Sequence, residues 1–325
     1  MPLRQPALPA HDARAEAVSP GELARHWDAE SLRQSLLPWL PRISVEVVQR
    51  CASTNTELIE RARRACGELE PCLLVAEQQT MGRGRLGRGW VSAAGASLTF
   101  SLALPLAPRD WSGLSLAVGL AIAEALDVPP SPHAPHAPQI MLKWPNDLWL
   151  ADLSDPSGAT SPAAGRKLGG VLVETLSAGP SRLCVIGVGL NVLPLPQEAH
   201  AGAAGFASGY ACLHEVQPLR RAPEVLAAVA PALARALRTF EADGFAPRVA
   251  AYAARDLLRG LAVSTSLPQW PAGVAEGVDE TGALMLSVGG QRQRIVSGEV
   301  SVRPAGREAQ VPQARESATR GAAAP

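Results

Sequence analysis

The sequence lacks several features that would mark a particular class of protein. It has no formal net charge, because 30 Lys and Arg residues balance 30 Asp and Glu residues, and neutrality argues against a protein that mainly coats nucleic acid. The longest apolar run, near residues 114–123, is shorter than the roughly 20 residues that a membrane span needs. The N-terminus lacks the basic start and apolar segment of a secretory signal. We therefore expect a cytoplasmic protein with no membrane or DNA partner.

Cysteine and histidine give no sign of a disulfide framework or a metal site. The cysteines are Cys51, Cys66, Cys72, Cys184 and Cys212. They form no CxxC pair and no Cys/His cluster with metal-ligand spacing, and their odd number fits reduced thiols. His133 and His136 lie three residues apart but stand among prolines, which favours a loop over a metal site. We expect no metal held by the protein itself.

Composition along the chain divides it into two folded units with polar ends. A chain with 47% hydrophobic residues can fill a sizeable core. Residues 1–20 and 304–325 are polar and aperiodic, which predicts disorder. Residues 21–259 are expected to form the main domain, with a surface loop over 151–165. From 260 to 303, short strands separated by turn signals predict a small β-barrel.

Hydrophobic periodicity and turn residues predict the elements of these units. Helices are expected over 19–38, 57–66, 111–126, 222–242 and 247–258. Strands are expected over 44–48, 72–76, 97–104, 140–143, 167–174 and 183–192, and four shorter ones over 261–267, 272–278, 283–288 and 291–295. The strands over 167–174 and 183–192 follow each other closely, which predicts an antiparallel hairpin.

The most unusual stretch is Gly82–Trp90, in which four glycines alternate with three arginines before a tryptophan. Glycine favours a mobile loop whose N–H groups can approach an anion, and arginine suits phosphate and carboxylate oxygens. The stretch also matches GxGxxG, but a turn and a strand follow where a dinucleotide-binding fold needs a helix. We therefore reject a dinucleotide site and expect a loop that closes over an anionic ligand; a solvated basic loop is the alternative.

Two other stretches carry candidate functional residues. Ser53, Thr54 and Asn55 precede a helix, so they are candidates either for N-capping or for ligand binding. Lys143 ends an apolar strand, where a lysine is costly unless an anion meets it. That anion is either a ligand or Asp147.

Glycine pairs stand in two consecutive strands, at Gly169 and Gly170 and at Gly187 and Gly189. Glycine inside a strand weakens it and often marks the close approach of another group. The two strands are therefore candidates for the floor of a ligand cavity. Packing against a helix is the alternative.

Together these stretches resemble the biotin protein ligase family. The matching segments, in order over about residues 40–303, are Ser53–Asn55, Gln79, Gly82–Trp90, Lys143–Asp147, Lys167–Glu174, Gly187–Asn191, Gly277–Leu284 and Gly298–Arg303. The resemblance implies a ligase that joins biotin to ATP as biotinyl-5′-AMP, releases pyrophosphate and transfers biotin to a lysine of the biotin carboxyl carrier protein of acetyl-CoA carboxylase. Biotin, ATP and Mg²⁺ are the implied substrates and cofactor.

The resemblance also implies a fold: an α+β domain with a mixed, largely antiparallel sheet and packed helices, like the catalytic fold of class II aminoacyl-tRNA synthetases, followed by an SH3-like β-barrel. Residues 21–259 would be the catalytic domain. Many relatives carry a DNA-binding domain before it, and the forty residues here are too few for one, so we expect a monofunctional ligase. The resemblance is also compatible with a homodimer formed through an exposed sheet edge. A lipoate ligase, a DNA-binding repressor and an inactive binding module are the alternatives.

By resemblance, each candidate residue receives an expected role. Lys143 and Arg85 are the expected catalytic residues: Lys143 would lie beside the carboxylate of biotin and the α-phosphate, and Arg85 would belong to the loop that orders over biotin and the adenylate. The expected biotin and adenylate contacts are Ser53, Thr54, Asn55, Gln79, Gly82, Arg83, Gly84, Arg85, Lys143, Gly187 and Gly189. Trp90 and Asn191 are expected on the nucleotide side.

Overall fold

The computed structural model describes residues 19–65, 70–127, 138–151, 165–178, 181–195, 209–296 and 302–304. The predictions of disordered ends, of a Pro/His loop and of a surface loop after residue 151 fall mainly outside these ranges. None of the helices in this described part is long and apolar enough to cross a membrane.

The described helices are α1 (Pro20–His26), α2 (Ala29–Leu36), α3 (Thr54–Arg64), α4 (Leu114–Ala125), α5 (Ala222–Asp243) and α6 (Val249–Ala253). The strands are β1 (Ser44–Cys51), β2 (Cys72–Gln79), β3 (Gly82–Arg83), β4 (Gly89–Trp90), β5 (Ser97–Pro105), β6 (Gln139–Lys143), β7 (Asp147–Ala151), β8 (Arg166–Ala178), β9 (Ser181–Asn191), β10 (Ala262–Thr265), β11 (Ala272–Val278), β12 (Leu284–Val288), β13 (Gln291–Ile295) and β14 (Val302–Pro304).

A seven-stranded sheet organises the main domain, with the order β1-β2-β5-β9-β8-β7-β6 in the described ranges. β1 and β2 run parallel, and every other neighbouring pair is antiparallel. The predicted mixed, largely antiparallel sheet is therefore confirmed, as is the hairpin of β8 and β9.

The two faces of this sheet differ in chemistry. One face carries large apolar side chains such as Phe100 and Leu102, which belong to the main core together with residues of α4 and α5. Burial of this apolar area is the main source of stability. On the other face, Thr99 and Ser101 alternate with those apolar residues and are fully buried. The second face therefore has small and polar groups at its centre.

Helix α3 covers only part of the second face. Leu58 and Ala62 of α3 form a buried cluster with residues such as Leu74 and Val185 of the sheet. Apolar positions four apart lie on one side of a helix, so these two side chains face the sheet together. The part of the face beyond the N-terminus of α3 is left for the functional groups.

The C-terminal unit is a second, antiparallel sheet with the order β13-β12-β11-β10-β14 in its described part. The predicted small β domain is thus confirmed. The turn Asp279–Gly282 connects β11 and β12, and Gly289 and Gly290, both with positive φ, connect β12 and β13.

In the main domain, two predicted helices differ from the structure and one strand was missed. The helix predicted over 19–38 is two helices, because Asp28 between them takes a left-handed conformation with φ of 45°. The segment 147–151, whose strand was missed, pairs with β6. The last predicted helix of the main domain ends early, at Ala253, because the following segment pairs with β6 instead: Leu142 N donates to Arg255 O at 2.7 Å, and Leu257 N donates to Leu142 O at 2.9 Å.

Asp256, inside that segment, is a buried carboxylate between the two sheets. It is 7% exposed; one oxygen accepts a hydrogen bond from Leu258 N at 3.0 Å, and the other has no partner among the described residues. Burial raises the pKa of Asp256 to about 6. Since the folded-state pKa exceeds the unfolded one, the ionised carboxylate destabilises the folded chain above about pH 6, and the penalty disappears as pH falls toward the unfolded pKa of 3.8.

We expect Asp256→Asn to raise the free energy of unfolding by about 1–3 kcal/mol at pH 8 and to change it little near pH 4. Urea unfolding at the two pH values measures the difference. Asp243→Asn, at an exposed position, is the matched control and should show no pH-dependent gain. An equal gain for Asp256→Asn at both pH values would contradict the prediction.

Candidate active site

The N-terminus of α3 places its first polar side chains on the second face of the sheet. Ser53 is the N-cap, and its Oγ accepts a hydrogen bond from Thr56 N at 3.5 Å. The capping interpretation therefore holds for Ser53. Thr54 and Asn55 instead lie inside the first turn, 2% and 3% exposed, and are free of a capping role.

Thr54 and Asn55 join three other residues in a polar cluster of Thr54, Asn55, Gln79, Ser101 and Glu174. Ser101 Oγ donates to Asn55 Oδ1 at 2.5 Å and lies 2.6 Å from Thr54 Oγ1. Because Ser101 has a single proton, Thr54 is the donor in the second bond. Gln79 Oε1 accepts from Thr54 N at 2.7 Å, and Asn55 Nδ2 donates to Glu174 Oε2 at 2.9 Å.

Ser101 and Glu174 were not among the predicted site residues. The signal for Ser101 is present in the sequence, since Thr99 and Ser101 are the polar members of an otherwise apolar strand. Strand alternation puts both on the face opposite the apolar core. Glu174 carries no comparable signal, because an acidic residue in a partly exposed strand is common.

The two glycines of β9 make room for other side chains. A Cβ at Gly187 would lie 2.4 Å from Asn55 Oδ1, and one at Gly189 would lie 2.5 Å from Trp90 Cε2. Gly187 thus admits a side chain of helix α3, which fits the helix-packing alternative, whereas Gly189 admits the indole of the Gly/Arg stretch. Contact of these glycines with biotin stays a prediction.

The Gly/Arg stretch forms a small hairpin where the sequence predicted a loop. Gly82 pairs with Trp90 in the β3–β4 ladder, and Gly84 N donates to Arg88 O at 2.7 Å. A Cβ at Gly82 would meet Trp90 O at 2.5 Å, so glycine allows this pairing. Trp90 Nε1 is buried without a hydrogen-bond partner among the described residues.

Two arginines of the hairpin reach opposite sides of the site. Arg83 donates to Thr56 Oγ1 at 3.2 Å and to Glu174 Oε1 at 3.1 Å, next to the polar cluster. Arg85 donates to Asn146 Oδ1 at 3.3 Å, in the turn after Lys143. Burial lowers the pKa of Arg85, but a guanidinium stays charged in proteins. The hairpin therefore places cations at both ends of the site.

Lys143 lies on the same face of the sheet as the glycines. Residues that lie opposite each other in adjacent strands share a face of the sheet. One such row crosses the strands from β6 to β5 and contains, in order, Lys143, Asp147, Gly170, Gly189 and Thr99. Lys143 is 9% exposed, and its Nζ lies 5.3 Å from the centre of the Trp149 ring. A buried cation at one end of a row of glycines can meet an anion bound above them.

Asp147, the expected alternative partner of Lys143, binds a second lysine. Its Oδ1 accepts from Lys167 Nζ at 2.8 Å. Sequence reasoning missed Lys167 as a site residue. The chain contains only these two lysines, while its other basic residues are mainly arginines, and that scarcity was a signal for both.

Asn191, expected on the nucleotide side, is 2% exposed. Its Nδ2 donates to Ala211 O at 2.9 Å and to Lys167 O at 3.3 Å. It therefore fixes the segment after residue 208 to β8. Contact with a nucleotide stays a prediction.

A cavity of about 380 Å³ opens beside the turn that follows Lys143. Arg85 and Asn146 lie on its wall, with Arg182 of β9, Ser115 of α4 and Thr281 of the C-terminal sheet. Its lining thus comes from both sheets and from the hairpin. No group of three or more His, Cys, Asp or Glu side chains in the described part of the chain is placed to hold a metal ion.

These groups suit the joining of two anions. Cations and oriented donors surround the row of glycines, and such fixed charges stabilise negative charge that builds up on phosphate. The polar cluster provides paired donors and acceptors for a small polar molecule. Positioning and electrostatics are therefore the chemistry that these side chains can supply.

Comparison with known families agrees with this chemistry. The Biotin/lipoate A/B protein ligase family matches residues 47–191, and the Biotin protein ligase C terminal domain matches residues 272–303. The first match spans the polar cluster, the hairpin and Lys143. The second covers most of the C-terminal sheet.

Individual proteins of known function are also similar to this chain. The chain is 34% identical to the Biotin–[acetyl-CoA-carboxylase] ligase of Mycobacterium tuberculosis over 84% of this chain and 94% of the relative. It is 33% identical to the Bifunctional ligase/repressor BirA of Escherichia coli over 81% of this chain and 75% of that protein. The biotin protein ligase of Aquifex aeolicus, solved in complex with biotin and ATP, superposes with a TM-score of 0.60 and 26% identity over 80% of this chain and 99% of that one. The chain therefore belongs to the biotin protein ligase family.

Proposed function

We propose that the chain is an ATP-dependent biotin–[acetyl-CoA carboxylase] ligase. A carboxylate oxygen of biotin attacks the α-phosphorus of ATP, the bond to the β-phosphate breaks, and biotinyl-5′-AMP and pyrophosphate form. The amine of a carrier lysine then attacks the acyl carbon, AMP leaves, and an amide bond remains. The observation that carries this proposal is the row from Lys143 to Gly189, which runs from a buried cation to the glycine that makes room for Trp90 of the hairpin.

The polar cluster is the proposed site for the ring of biotin. A cyclic urea presents two N–H donors and one carbonyl acceptor, and side chains of Thr54, Gln79 and Asn55 offer complementary groups. Ser53 and the glycines Gly187 and Gly189 are proposed to complete the contact. Supporting this assignment, Thr54, Asn55 and Ser101 of the cluster are buried, and the cluster is prearranged by its own hydrogen bonds, so little ordering is needed on binding.

Lys143 and Arg85 are the proposed catalytic residues. The carboxylate of biotin and the α-phosphate repel each other, and two cations held close to both lower that repulsion and stabilise the transition state. Arg83, with Gly82 and Gly84 of the hairpin, is proposed to hold the adenylate. Trp90 and Asn191 are proposed on the nucleotide side.

Mg²⁺ is proposed to arrive with the phosphates of ATP rather than in a cage of protein ligands. Mg²⁺ commonly binds through substrate phosphates with few protein carboxylates. Its chemical contribution would be to neutralise the leaving pyrophosphate.

The hairpin has a second proposed use. An acyl adenylate hydrolyses readily, and a hairpin that excludes water would keep it for the carrier lysine. The proposed partner is the biotin carboxyl carrier protein of acetyl-CoA carboxylase, and the proposed location is the cytoplasm, where ATP and that carrier are available.

The test of this function is incubation of the full chain with biotin, ATP, Mg²⁺ and a purified carrier domain, followed by intact mass. We expect one biotin added per carrier, with none when ATP is omitted or the target lysine is replaced by arginine. Absence of biotin on the carrier, together with lipoate on a lipoyl domain, would assign the chain to the lipoate ligases instead.

Arg85→Ala is expected to loosen retention of the adenylate more than it slows its formation. A charge-assisted hydrogen bond contributes about 1.5–3 kcal/mol, so biotinyl-5′-AMP should leave about 10- to 100-fold faster. Release of labelled adenylate from the isolated complex measures this rate. Arg109→Ala, outside the hairpin, is the control, and equal release from Arg85→Ala and the parent would refute the assignment.

A further inference from the structure

The turn that follows Lys143 is fixed from several directions. Leu142, before Lys143, exchanges two backbone hydrogen bonds with the segment 255–257. Pro145 O accepts a hydrogen bond from Ser115 Oγ of α4 at 3.0 Å, and Asn146 Nδ2 donates to Val171 O at 2.7 Å. The backbone that carries Lys143 is therefore held within the main domain.

One further contact comes from the C-terminal sheet. Trp144, the neighbour of Lys143, is fully buried, and its Nε1 donates to Gly282 O at 3.1 Å, across 138 residues of sequence. A buried N–H that loses its acceptor costs free energy. The position of Trp144 is thus coupled to the position of a turn in the other unit.

That turn, Asp279–Gly282, is itself rigid. Asp279 Oδ1 accepts hydrogen bonds from Thr281 N at 2.9 Å, Thr281 Oγ1 at 2.7 Å and Ala283 N at 3.0 Å, and Asp279 Oδ2 accepts from Arg294 at 2.6 Å. Burial opposes ionisation of Asp279, but these hydrogen bonds hold its pKa below the ordinary value. A charged, fully bonded aspartate therefore fixes the carbonyl that Trp144 contacts.

Two glycines allow the turn Asp279–Gly282 to lie close to α4 and to Trp144. Gly282 has φ of 80°, and a Cβ there would lie 2.7 Å from Gly113 Cα. Gly113 has φ of 78°, and a Cβ there would lie 3.0 Å from Thr281 O. Larger residues at either position would separate the turn from α4 and from Trp144.

We propose that the turn Asp279–Gly282 positions Lys143 for adenylate formation, through the hydrogen bond from Trp144 to Gly282. Trp144 and Asp279 are positioning residues, since they act through Lys143. The inference rests on the proposed function. Because Thr54 and Gln79, the proposed biotin contacts, belong to α3 and β2, loss of this contact should affect the chemical step and leave biotin binding intact.

The test compares Trp144→Phe and Asp279→Ala in the full chain. Trp144→Phe keeps a buried ring but removes the donor, and Asp279→Ala loosens the turn without changing the main domain. Each should slow single-turnover adenylate formation at least about tenfold, which corresponds to about 1.4 kcal/mol of barrier, with the Kd for biotin within about twofold of the parent's. The double variant should be little slower than either single variant, because both remove one coupled interaction.

Trp39→Phe and Glu276→Ala are the matched controls. Trp39 is 37% exposed, and Glu276 pairs with Arg292 in the same C-terminal sheet. Both should keep the parent rate. Far-UV circular dichroism confirms that each variant is folded, and Asp279→Ala keeps the test decisive if Trp144→Phe does not fold.

Two outcomes would overturn the inference. Parent rates in both folded variants would show that the contact does not position Lys143, while the proposed function would stand. Equal losses of rate and biotin affinity would indicate a general structural role. A parent chain that forms no biotinyl-5′-AMP would instead refute the proposed function, and it would also refute the inference, which rests on that function.

Discussion

Lys143→Ala should lower the rate of biotinyl-5′-AMP formation by about 10²- to 10³-fold, the usual cost of removing one preorganised group that stabilises developing charge. Lys143 is 9% exposed at the end of β6, where little water can replace its charge. The loss should therefore appear in the chemical step. Single-turnover formation of the adenylate from biotin and ATP, measured by quenched flow, checks it.

The controls for Lys143 separate charge from packing. Lys143→Arg keeps the charge but changes its geometry, so it should recover part of the rate. Lys143→Met keeps most of the volume and should be as slow as the alanine variant. A Lys143→Ala protein that forms adenylate at the parent rate would refute the catalytic role.

Gly187→Ala should weaken biotin binding by about 30- to 1,000-fold, or about 2–4 kcal/mol. The new Cβ would lie 2.4 Å from Asn55 Oδ1, so Asn55 must move. Asn55 is bonded to Ser101 Oγ at 2.5 Å and to Glu174 Oε2 at 2.9 Å, and both bonds would be disturbed. Because Ser101 also bonds to Thr54, the change should spread through the polar cluster.

Isothermal titration with biotin, in the absence of ATP, measures this effect. Gly21→Ala is the matched control, because the added Cβ would lie 3.8 Å from the nearest atom, an ordinary contact, and biotin affinity should not change. Unaltered affinity in Gly187→Ala would show that the polar cluster is not the biotin site.

The fold was predicted well where the sequence pattern is local. The apolar strands β2 and β5 and the helix α5 were expected close to their observed bounds, because buried strands and amphipathic helices have clear periodicities. β7 was missed: its five residues follow the turn after Lys143 directly. The shortened helix α6 has a different cause, since pairing of the segment 255–257 with Leu142 overrode a helical pattern.

The candidate site was predicted in part. Lys143 and Arg85 stood in stretches that point to anion binding, Thr54 was a candidate for N-capping or ligand binding, and Gln79 was named by the family resemblance, so the sequence was enough to propose all four. Ser101, Glu174 and Lys167 were missed, because the partner of each comes from another element of the chain. Ser101 lies 46 residues from Asn55 of α3, Glu174 lies 119 residues from Asn55, and Lys167 lies 20 residues from Asp147 of β7.

By itself, the sequence determined the local features of this protein: a stretch of glycines and arginines, a lysine at a strand end, and strands whose alternation sets apart one polar face. Those features are local, since strand periodicity and backbone freedom depend on neighbouring residues. Only the tertiary structure decided which of them meet. The register of five adjacent strands puts Lys143, Gly170, Gly189 and Thr99 in one row. Packing of the C-terminal turn brings Gly282 to Trp144. Both contacts join residues far apart in the sequence, and such pairing is set by the shapes and hydrogen bonds of all the elements together.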